Sequence, residues 1–114
     1  MAKEYKDIKF DADLVELVLS GSKNITWRYK DDKDIKVGDT LRLLKRPVLK
    51  PFAFATVQAV TEKPFGEFTS KELDGHETYL SVEEMYQTYT AYYKTAIDAS
   101  SIMKVVHFIL TERI

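Results

Sequence analysis

The sequence predicts an α+β domain: a small, mixed β-barrel of about five to six strands with flanking helices. Two observations lead to this fold class. Apolar residues alternate with the period of a strand in some segments and recur with the period of a helix in others, in the order strand, helix, three strands, helices, strand. Mostly short turns join the middle strands, and a run of this kind can close as a small barrel. The length of 114 residues fits one domain, residues 1–114, with a core of its own.

The first elements are a strand and a helix. Residues 5–10 form a short strand or an extended lead-in. The helix runs from Asp11 or Asp13, either of which can cap its start, to about Ser20. Gly21 is placed to terminate it. Its buried stripe is predicted to comprise Leu14, Leu17 and Val18.

Three strands follow, separated by a charged turn and a proline-containing loop. In order, the segments are strand 24–29, turn 30–36, strand 40–44, loop 46–51 and strand 52–61. Val37, Gly38 and Asp39 form a tight turn into the second of these strands. The third is rich in β-branched and aromatic residues, which favour strands.

The last part is predicted as helices and a final strand. A short helix is expected near residues 67–73, and Ser81 with Glu84 forms a capping box that opens a helix to about Tyr93. The residues of this helix predicted to face the core are Met85, Tyr89 and Tyr92. The strand at residues 102–110 places three apolar side chains on one face: Val106, Phe108 and Leu110. The tyrosine series of the helix is interpreted as core packing, although an exposed member would be able to stack a base.

The helix-to-strand corner at residues 21–28 carries polar side chains at strand spacing. Alternation sends Thr26 and Arg28 to one face of the strand and Trp27 to the other, where it is predicted to join the core. Lys23 lies just before the strand, so an ammonium, a hydroxyl and a guanidinium are expected to converge in one concave pocket. Such a corner can bind an anion or a polar heterocycle, or perform acid/base chemistry.

Each of these residues also has a purely structural interpretation. A lysine after a helix-ending glycine is commonly a solvated cation, and threonine is a good strand residue in any protein. In the functional interpretation, partial desolvation and nearby Arg28 lower the pKa of Lys23. Arg28 is expected to hold Glu77 or Asp39 while facing the pocket, because its planar fork suits carboxylates, phosphates and base edges.

Basic residues bracket the proline-containing loop. Lys45, Arg46 and Lys50 lie in or beside it, and Arg42 lies on the preceding strand. They form either a charged solubility rim or the edge of a groove that binds RNA phosphate, with Lys45 and Arg46 as the candidate contacts.

The composition excludes several classes of function. The formal net charge is −1, so a nucleic-acid role requires a local basic cleft or a small target such as one nucleotide. The chain has no cysteine, its two histidines lie far apart, and its four glycines are not grouped, so no metal, cofactor or phosphate-loop site is expected. Residues 1–10 lack an apolar signal core, and no apolar run is long enough to cross a membrane. We therefore expect a cytoplasmic protein without membrane partners.

The motif Gly-x-Lys-x-x-Thr-x-Arg at residues 21–28 resembles that of ASCH domains, which belong to the PUA-like superfamily. The resemblance extends to Val-Gly-Asp-Thr-Leu at residues 37–41, Phe-Ala-Thr-Val at 54–57 and Val-Val-His-Phe at 105–108. It implies a small β-barrel with flanking helices and a cleft between them, and a role related to RNA. One bacterial branch hydrolyses the acetyl amide of N4-acetylcytidine, and some other members are described as cleaving RNA.

In the amidohydrolase branch, a lysine, a threonine and a downstream glutamate carry the chemistry. Lys23 and Thr26 match the first two, whereas Glu77 and His76 compete for the third position, with Glu77 preferred by chemistry. Under this hypothesis Lys23 attacks the amide carbonyl or activates the attack, Thr26 positions it, and Glu77 protonates the leaving amine. Glu77 would then need a pKa raised by burial, and His76 would titrate near neutral pH.

Two other hypotheses stay open. In the second, the pocket holds RNA or a nucleoside without catalysis, and Arg28, Lys45, Arg46 and His76 are ligand contacts. In the third, the chain is a small regulatory protein whose protein partner the sequence does not identify. The distance between Glu77 and Lys23 distinguishes the first hypothesis from the other two, because a remote carboxylate would not support catalysis.

Overall fold

The computed structural model describes residues 5–30 and 33–114. Its elements are β1 (Lys6–Phe10), α1 (Val15–Leu19), β2 (Ile25–Tyr29), β3 (Thr40–Lys45), β4 (Lys50–Pro64), α2 (Ser70–Leu73), α3 (Val82–Tyr93) and β5 (Ile102–Arg113). A 3₁₀ turn, Ala12–Leu14, precedes α1, and another, Phe65–Glu67, follows β4. The predicted order of strands and helices is confirmed. The predicted turn at 30–36 includes residues 31 and 32, and the segment 1–10 includes residues 1–4, all of which lie outside the described residues.

The five strands form one curled, mixed sheet in the order β1-β3-β4-β5-β2. The β1–β3 pair is parallel and the other pairs are antiparallel, with register shifts in the β3–β4 and β4–β5 pairs that bend the long strands. The sheet is a half-barrel, and β1 and β2 are its two edges. Nη2 of Arg28 on β2 donates to the carbonyl of Lys9 on β1 at 3.2 Å and so bridges these edges. The predicted fold class, α+β with a curled mixed sheet of about five strands, is confirmed.

Two apolar clusters hold the domain together. One lies inside the curled sheet and includes Ile8, Leu41, Val57 and Phe108. The other lies between the β2–β5 side of the sheet and the helices. Trp27 belongs to the second cluster and packs edge-on against Phe65 and Phe68, as its position in the alternation predicts. Trp27 therefore anchors the strand whose opposite face carries Thr26 and Arg28.

The first helix corrects one prediction. Leu17 is 37% exposed, and Val15 is buried beside Val18 in its place. The cause is the 3₁₀ turn at the start, because a turn of about three residues changes the rotational phase of everything after it. Asp11 occupies the N-cap position, but its side chain makes no capping hydrogen bond.

Two further boundaries differ from the predictions. Lys50 and Pro51 belong to β4 rather than to the loop, because Pro51 pairs with Leu44 at a register shift, where a missing N–H is tolerated. Ser81 does accept a hydrogen bond from the Glu84 N–H, but the reciprocal capping box is at Thr69 and Glu72.

Tyr92, predicted to face the core, is 42% exposed. Its ring lies near the end of α3, where the helix borders an open cleft rather than the sheet. Val106, Phe108 and Leu110 do share a core-facing side of β5. Within the described residues, none of the helices is both long enough and apolar enough to cross a membrane.

Candidate functional site

The helix-to-strand corner is fixed by the backbone. Gly21 has a φ of +85°, a conformation that glycine adopts without strain, and this turns the chain out of α1. The N–H of Lys23 then donates to the carbonyl of Leu17 at 2.9 Å. The N–H of Asn24 donates to the carbonyl of Gly75, also at 2.9 Å, which ties the corner to the loop before α3. The backbone thus brings residues 23 and 77 together from distant parts of the chain.

Lys23 is 3% exposed, and its ammonium is paired with a carboxylate. Its Nζ donates to Oε1 of Glu77 at 2.5 Å and to the carbonyl of Ile25 at 2.9 Å. The ammonium also lies 5.9 Å from the centre of the Phe10 ring. Of the two residues that compete for the acid/base position in the sequence, Glu77 is the one that contacts Lys23.

Thr26 and Arg28 lie beside this pair on the same face of β2. Nε of Arg28 donates to Oγ1 of Thr26 at 3.1 Å. Thr26 is 4% exposed, and within the described residues its hydroxyl proton has no acceptor. The guanidinium lies 5.7 Å from the centre of the Phe10 ring. The hydroxyl can therefore still donate to a ligand.

A cleft opens directly above these groups, at the gap between the two edge strands. Its volume is about 110 Å³, or about 540 Å³ when the open mouth is included. The polar floor and the largely aromatic walls are formed by Lys9, Phe10, Asp11, Leu14, Lys23, Thr26, Trp27, Arg28, Glu77, Tyr79, Thr88, Tyr89, Tyr92 and Tyr93. The structure thus brings Lys23, Thr26, Arg28 and Glu77 together in one pocket.

Burial controls the charge on the two paired groups. Desolvation lowers the pKa of Lys23 and the Arg28 charge adds to this, while Glu77 opposes both; the net direction is downward, as predicted. Burial has the largest single effect and would raise the pKa of Glu77, but the charges of Lys23 and His76 and the hydrogen bonds to the carboxylate together outweigh it, so the net direction is again downward. The expected raised pKa of Glu77 is therefore wrong for the unliganded protein, which holds an ion pair.

His76 lies behind Glu77 rather than in the cleft. It is 6% exposed, and its ring stacks on the Trp27 indole with centroids 3.5 Å apart and planes 5° apart. Burial, and next the Lys23 charge, lower the pKa of His76 to about 4, so the ring is neutral at pH 7. The predictions of a direct ligand contact and of titration near neutral pH are therefore not supported, because Trp27 and Glu77 enclose the ring.

We expect the free energy of unfolding to fall by about 2 kcal/mol between about pH 7 and about pH 5 on account of His76. Its folded pKa of about 4 lies below the ordinary 6.5, so in this interval the unfolded chain binds a proton that the folded chain does not. The stabilisation is complete above 6.5 and is lost as the pH falls towards 4. Urea unfolding at several pH values measures this slope. It should disappear in His76→Gln and persist in His107→Gln, and an unchanged slope in His76→Gln would contradict the assignment.

The three basic residues predicted to contact a ligand, Arg28, Lys45 and Arg46, lie in different places relative to the cleft. Arg46 is not among the described residues that line the cleft, but its Nη2 donates to the hydroxyl of Tyr92, which does line it, and its guanidinium covers the Tyr92 ring. Lys45 is exposed at the end of β3 and is not among the described residues that line the cleft. Arg28 holds neither predicted carboxylate: Glu77 pairs with Lys23, and Asp39 pairs with Lys6 at 2.7 Å.

The aromatic wall is the part of the site that the sequence did not identify. Tyr79, Tyr89, Tyr92 and Tyr93 line the cleft opposite Phe10. Burial raises the pKa of Tyr79 to about 12 and that of Tyr89 well above 10, so both phenols are neutral. The helical spacing of three of these tyrosines was the available signal, but spacing does not tell core from cleft. Among the described residues, no group of three or more histidines or acidic residues is arranged to hold a metal ion.

Comparisons with known proteins agree on the fold. No protein-family model and no curated protein matches the chain. Among solved structures, the ASCH domain of Lactobacillus crispatus matches with a TM-score of 0.73 and 12% identity, covering 95% of this chain and 80% of that one. A DUF984 protein of Enterococcus faecalis matches with a TM-score of 0.75 and 17% identity over 90% and 72% of the two chains. The ASCH protein of Zymomonas mobilis matches with a TM-score of 0.67 and 17% identity over 96% and 69%. The chain therefore has the fold of these ASCH domains.

Proposed function

We propose, from the ASCH fold of this chain and the chemistry of its cleft, that it hydrolyses an amide on a nucleobase, with N4-acetylcytidine as the model substrate. The observation that carries the proposal is the 2.5 Å contact between Lys23 Nζ and Glu77 Oε1 at the floor of an aromatic-walled cleft. A buried lysine with a lowered pKa beside a carboxylate is a typical acid/base arrangement. The substrate and the reaction are carried by this chemistry and by the resemblance of the motif.

One proton shared by Lys23 and Glu77 is enough to supply both a base and an acid. Transfer from the ammonium to the carboxylate converts the ion pair into a neutral amine and a carboxylic acid. A substrate that fills the cleft excludes water, and desolvation disfavours the charged form of each group. We therefore expect substrate binding to favour the neutral pair, in which Lys23 is a base and Glu77 is an acid.

Lys23 is better suited to activate the attacking group than to attack the carbonyl itself. Attack by the amine would leave an acetyl-lysine, which is an unactivated alkyl amide and harder to hydrolyse than the starting aryl-type amide. As a base, Lys23 takes a proton from water while the water oxygen adds to the carbonyl carbon. Glu77 then gives its proton to N4 as the C–N bond breaks. Collapse of the adduct releases the free amine and acetic acid, which loses its proton to water as acetate, and it leaves Lys23 and Glu77 as the ion pair of the resting site.

Thr26 is positioned to stabilise the charge that develops on the carbonyl oxygen. Arg28 donates to Thr26 Oγ1, so the threonine proton is directed elsewhere and can be donated to the substrate. A fixed donor of this kind favours the transition state over the ground state. The remaining N–H groups of Arg28 suit the acceptor edge of a cytosine ring. Phe10 and the tyrosine wall provide faces on which a planar base can stack.

The direct test is to incubate the purified protein with N4-acetylcytidine and to measure cytidine and acetate by liquid chromatography. We expect equal amounts of the two products from N4-acetylcytidine and none from Nα-acetyl-lysine amide, which lacks a ring and an activated amide. Absence of both products from a folded protein at equimolar enzyme would overturn the proposal.

A second candidate function is binding of RNA without catalysis, favoured by the position of the arginines. Arg28 has no carboxylate partner among the described residues, and Arg46 covers the ring of Tyr92, which lines the cleft. In this hypothesis a base occupies the cleft and its phosphate contacts Arg46.

Charge reversal at two neighbouring residues tests this second function. Arg46→Glu should weaken binding of a short single-stranded RNA and reduce the slope of log Kd against log salt by about 0.7 for each phosphate that the variant no longer neutralises. Lys45→Glu makes a similar charge change at the neighbouring residue, which lacks the contact of Arg46 with the cleft-lining Tyr92, and should have a much smaller effect. Equal effects of the two variants, measured by fluorescence anisotropy, would indicate general electrostatics and not a site at the cleft.

A further inference from the structure

We propose that His76 is a positioning residue that holds one oxygen of Glu77 against Lys23 and leaves the other oxygen for the substrate. Its consequence for catalysis rests on the function proposed above, whereas the geometric part stands on contacts within this chain.

The contacts of Glu77 divide its two carboxylate oxygens into different roles. Nδ1 of His76 lies 3.0 Å from Oε1, the same oxygen that accepts from Lys23 at 2.5 Å, and also 3.0 Å from the Glu77 carbonyl oxygen. Among the described residues, no side chain donates a hydrogen bond to Oε2, and the further donor near the carboxylate is the backbone N–H of Glu77 itself. Oε1 is thus held by the Lys23 hydrogen bond with the His76 ring beside it, while the ring itself hydrogen-bonds the Glu77 carbonyl, and Oε2 is the oxygen that can face a substrate group in the cleft.

The position of the His76 ring is determined on every side. Its face lies 3.5 Å from Trp27, and the Trp27 Nε1–H donates to the carbonyl of Glu72 at 3.1 Å, which fixes the indole in turn. Nε2 lies 3.3 Å from the Tyr89 hydroxyl. Since Nδ1 faces two acceptors of Glu77, we assign the proton of the neutral ring to Nδ1, and Nε2 then accepts from Tyr89. The ring cannot rotate without losing both hydrogen bonds.

Neutrality of this donor matters for the proton transfer. The charged groups that affect His76 are Lys23, Glu77 and Arg28, and the phenols of Tyr79 and Tyr89 beside it are neutral. A second cation at this position would stabilise the Glu77 carboxylate strongly and oppose its protonation by Lys23. A neutral N–H orients the carboxylate while opposing its protonation less. The burial that keeps His76 neutral therefore serves the acid role of Glu77.

His76→Phe and His76→Asn test the inference as a pair. Phenylalanine keeps the stack on Trp27 and removes the donor, whereas asparagine places an N–H at the distance from Cβ that Nδ1 has. The first readout is the ¹³C titration of the Glu77 carboxyl, which needs no substrate. We expect His76→Phe to raise the pKa of Glu77 and His76→Asn to return it towards the wild-type value.

The second readout is turnover of N4-acetylcytidine. His76→Phe should lower kcat on the order of 10²-fold, the effect of a misplaced group, with KM little changed. His76→Asn should recover much of kcat. Tyr89→Phe removes the partner of His76 Nε2 but keeps the aromatic ring, and it should shift the pKa of Glu77 in the same direction by a smaller amount. It replaces His76→Phe as the test variant if His76→Phe does not fold.

The outcomes separate this inference from the proposed function. A shifted Glu77 titration together with an inactive wild type would support the positioning role and overturn the function. An unchanged Glu77 titration in folded His76→Phe, or in Tyr89→Phe where His76→Phe does not fold, would overturn the positioning role, whether or not the wild type is active.

Discussion

Lys23→Met is expected to lower kcat/KM for N4-acetylcytidine by roughly 10²–10⁴-fold, the usual contribution of general acid–base catalysis. The reason is that Glu77 then has no ammonium from which to take its proton, and the cleft has no amine to activate the attacking water. Methionine fills a similar volume, so the corner and the cleft walls should keep their shape. The measurement is steady-state release of cytidine, with folding checked by near-ultraviolet circular dichroism.

Lys23→Arg is the matched control, because it keeps the positive charge beside Glu77. Arginine is not deprotonated in proteins, so it cannot act as a base. We expect it to be about as inactive as Lys23→Met. Substantial activity in Lys23→Arg would show that the site needs only a cation, and it would contradict the proton-transfer mechanism.

The free energy of unfolding provides a second test of the Lys23–Glu77 pair. Lys23→Met leaves the partly buried Glu77 carboxylate without its cation, which should destabilise the fold, whereas Lys23→Met combined with Glu77→Leu should recover that loss. Recovery of stability without activity would show that the pair is kept for function. Urea denaturation at neutral pH measures this difference.

Gly75→Ala is expected to disrupt the site from a position that does not line the cleft. Gly75 has a φ of +86°, and an added Cβ would collide with Oδ1 of Asn24. The carbonyl of Gly75 accepts from the Asn24 N–H, so the Asn24 side chain must leave its place or the loop that carries His76 and Glu77 must move, and we expect the loop to shift away from Lys23. We expect turnover to fall on the order of 10²-fold, as for other misplacements of a catalytic group.

Gly38→Ala separates the collision from the backbone strain. Gly38 has a similar φ of +90°, but an added Cβ would meet nothing within 4 Å. Both variants carry the strain of a left-handed alanine, about 1–2 kcal/mol, and Gly75→Ala should lose roughly 1–3 kcal/mol more. Gly38→Ala should keep full turnover. Equal stability and equal turnover in the two variants would mean that the Gly75–Asn24 contact does not position the site.

Local pattern was enough to predict most of the fold. Strand and helix periods differ clearly, so the order of elements, the core position of Trp27 and the shared face of Thr26 and Arg28 follow from the sequence. The error in the predicted buried face of α1 also has a local cause, the 3₁₀ turn that moves Leu17 outward. This turn has no distinct sequence signal, so the error could not be avoided from the sequence.

The site was less predictable because its main contact is long-range. Lys23 and Glu77 are 54 residues apart, and the loop that joins them is set by Gly75 meeting Asn24. Burial of His76 under Trp27 and exposure of Tyr92 depend on how α3 lies against the sheet, which periodicity does not specify. In the sequence, Glu77 could be preferred over His76 only on chemical grounds. The contact between Lys23 and Glu77 in the structure is what distinguishes the two residues.

The most direct test of the central claim, that Lys23 and Glu77 share a transferable proton, is the titration of the Lys23 ammonium by ¹⁵N NMR. The signal is assigned by its loss in Lys23→Gln. We predict a pKa below the ordinary 10.5 in the wild type, and a still lower pKa in Glu77→Gln, because the carboxylate opposes the effect of burial. An ordinary pKa for Lys23 in both proteins would show a solvated cation at the floor of the cleft and would contradict the claim.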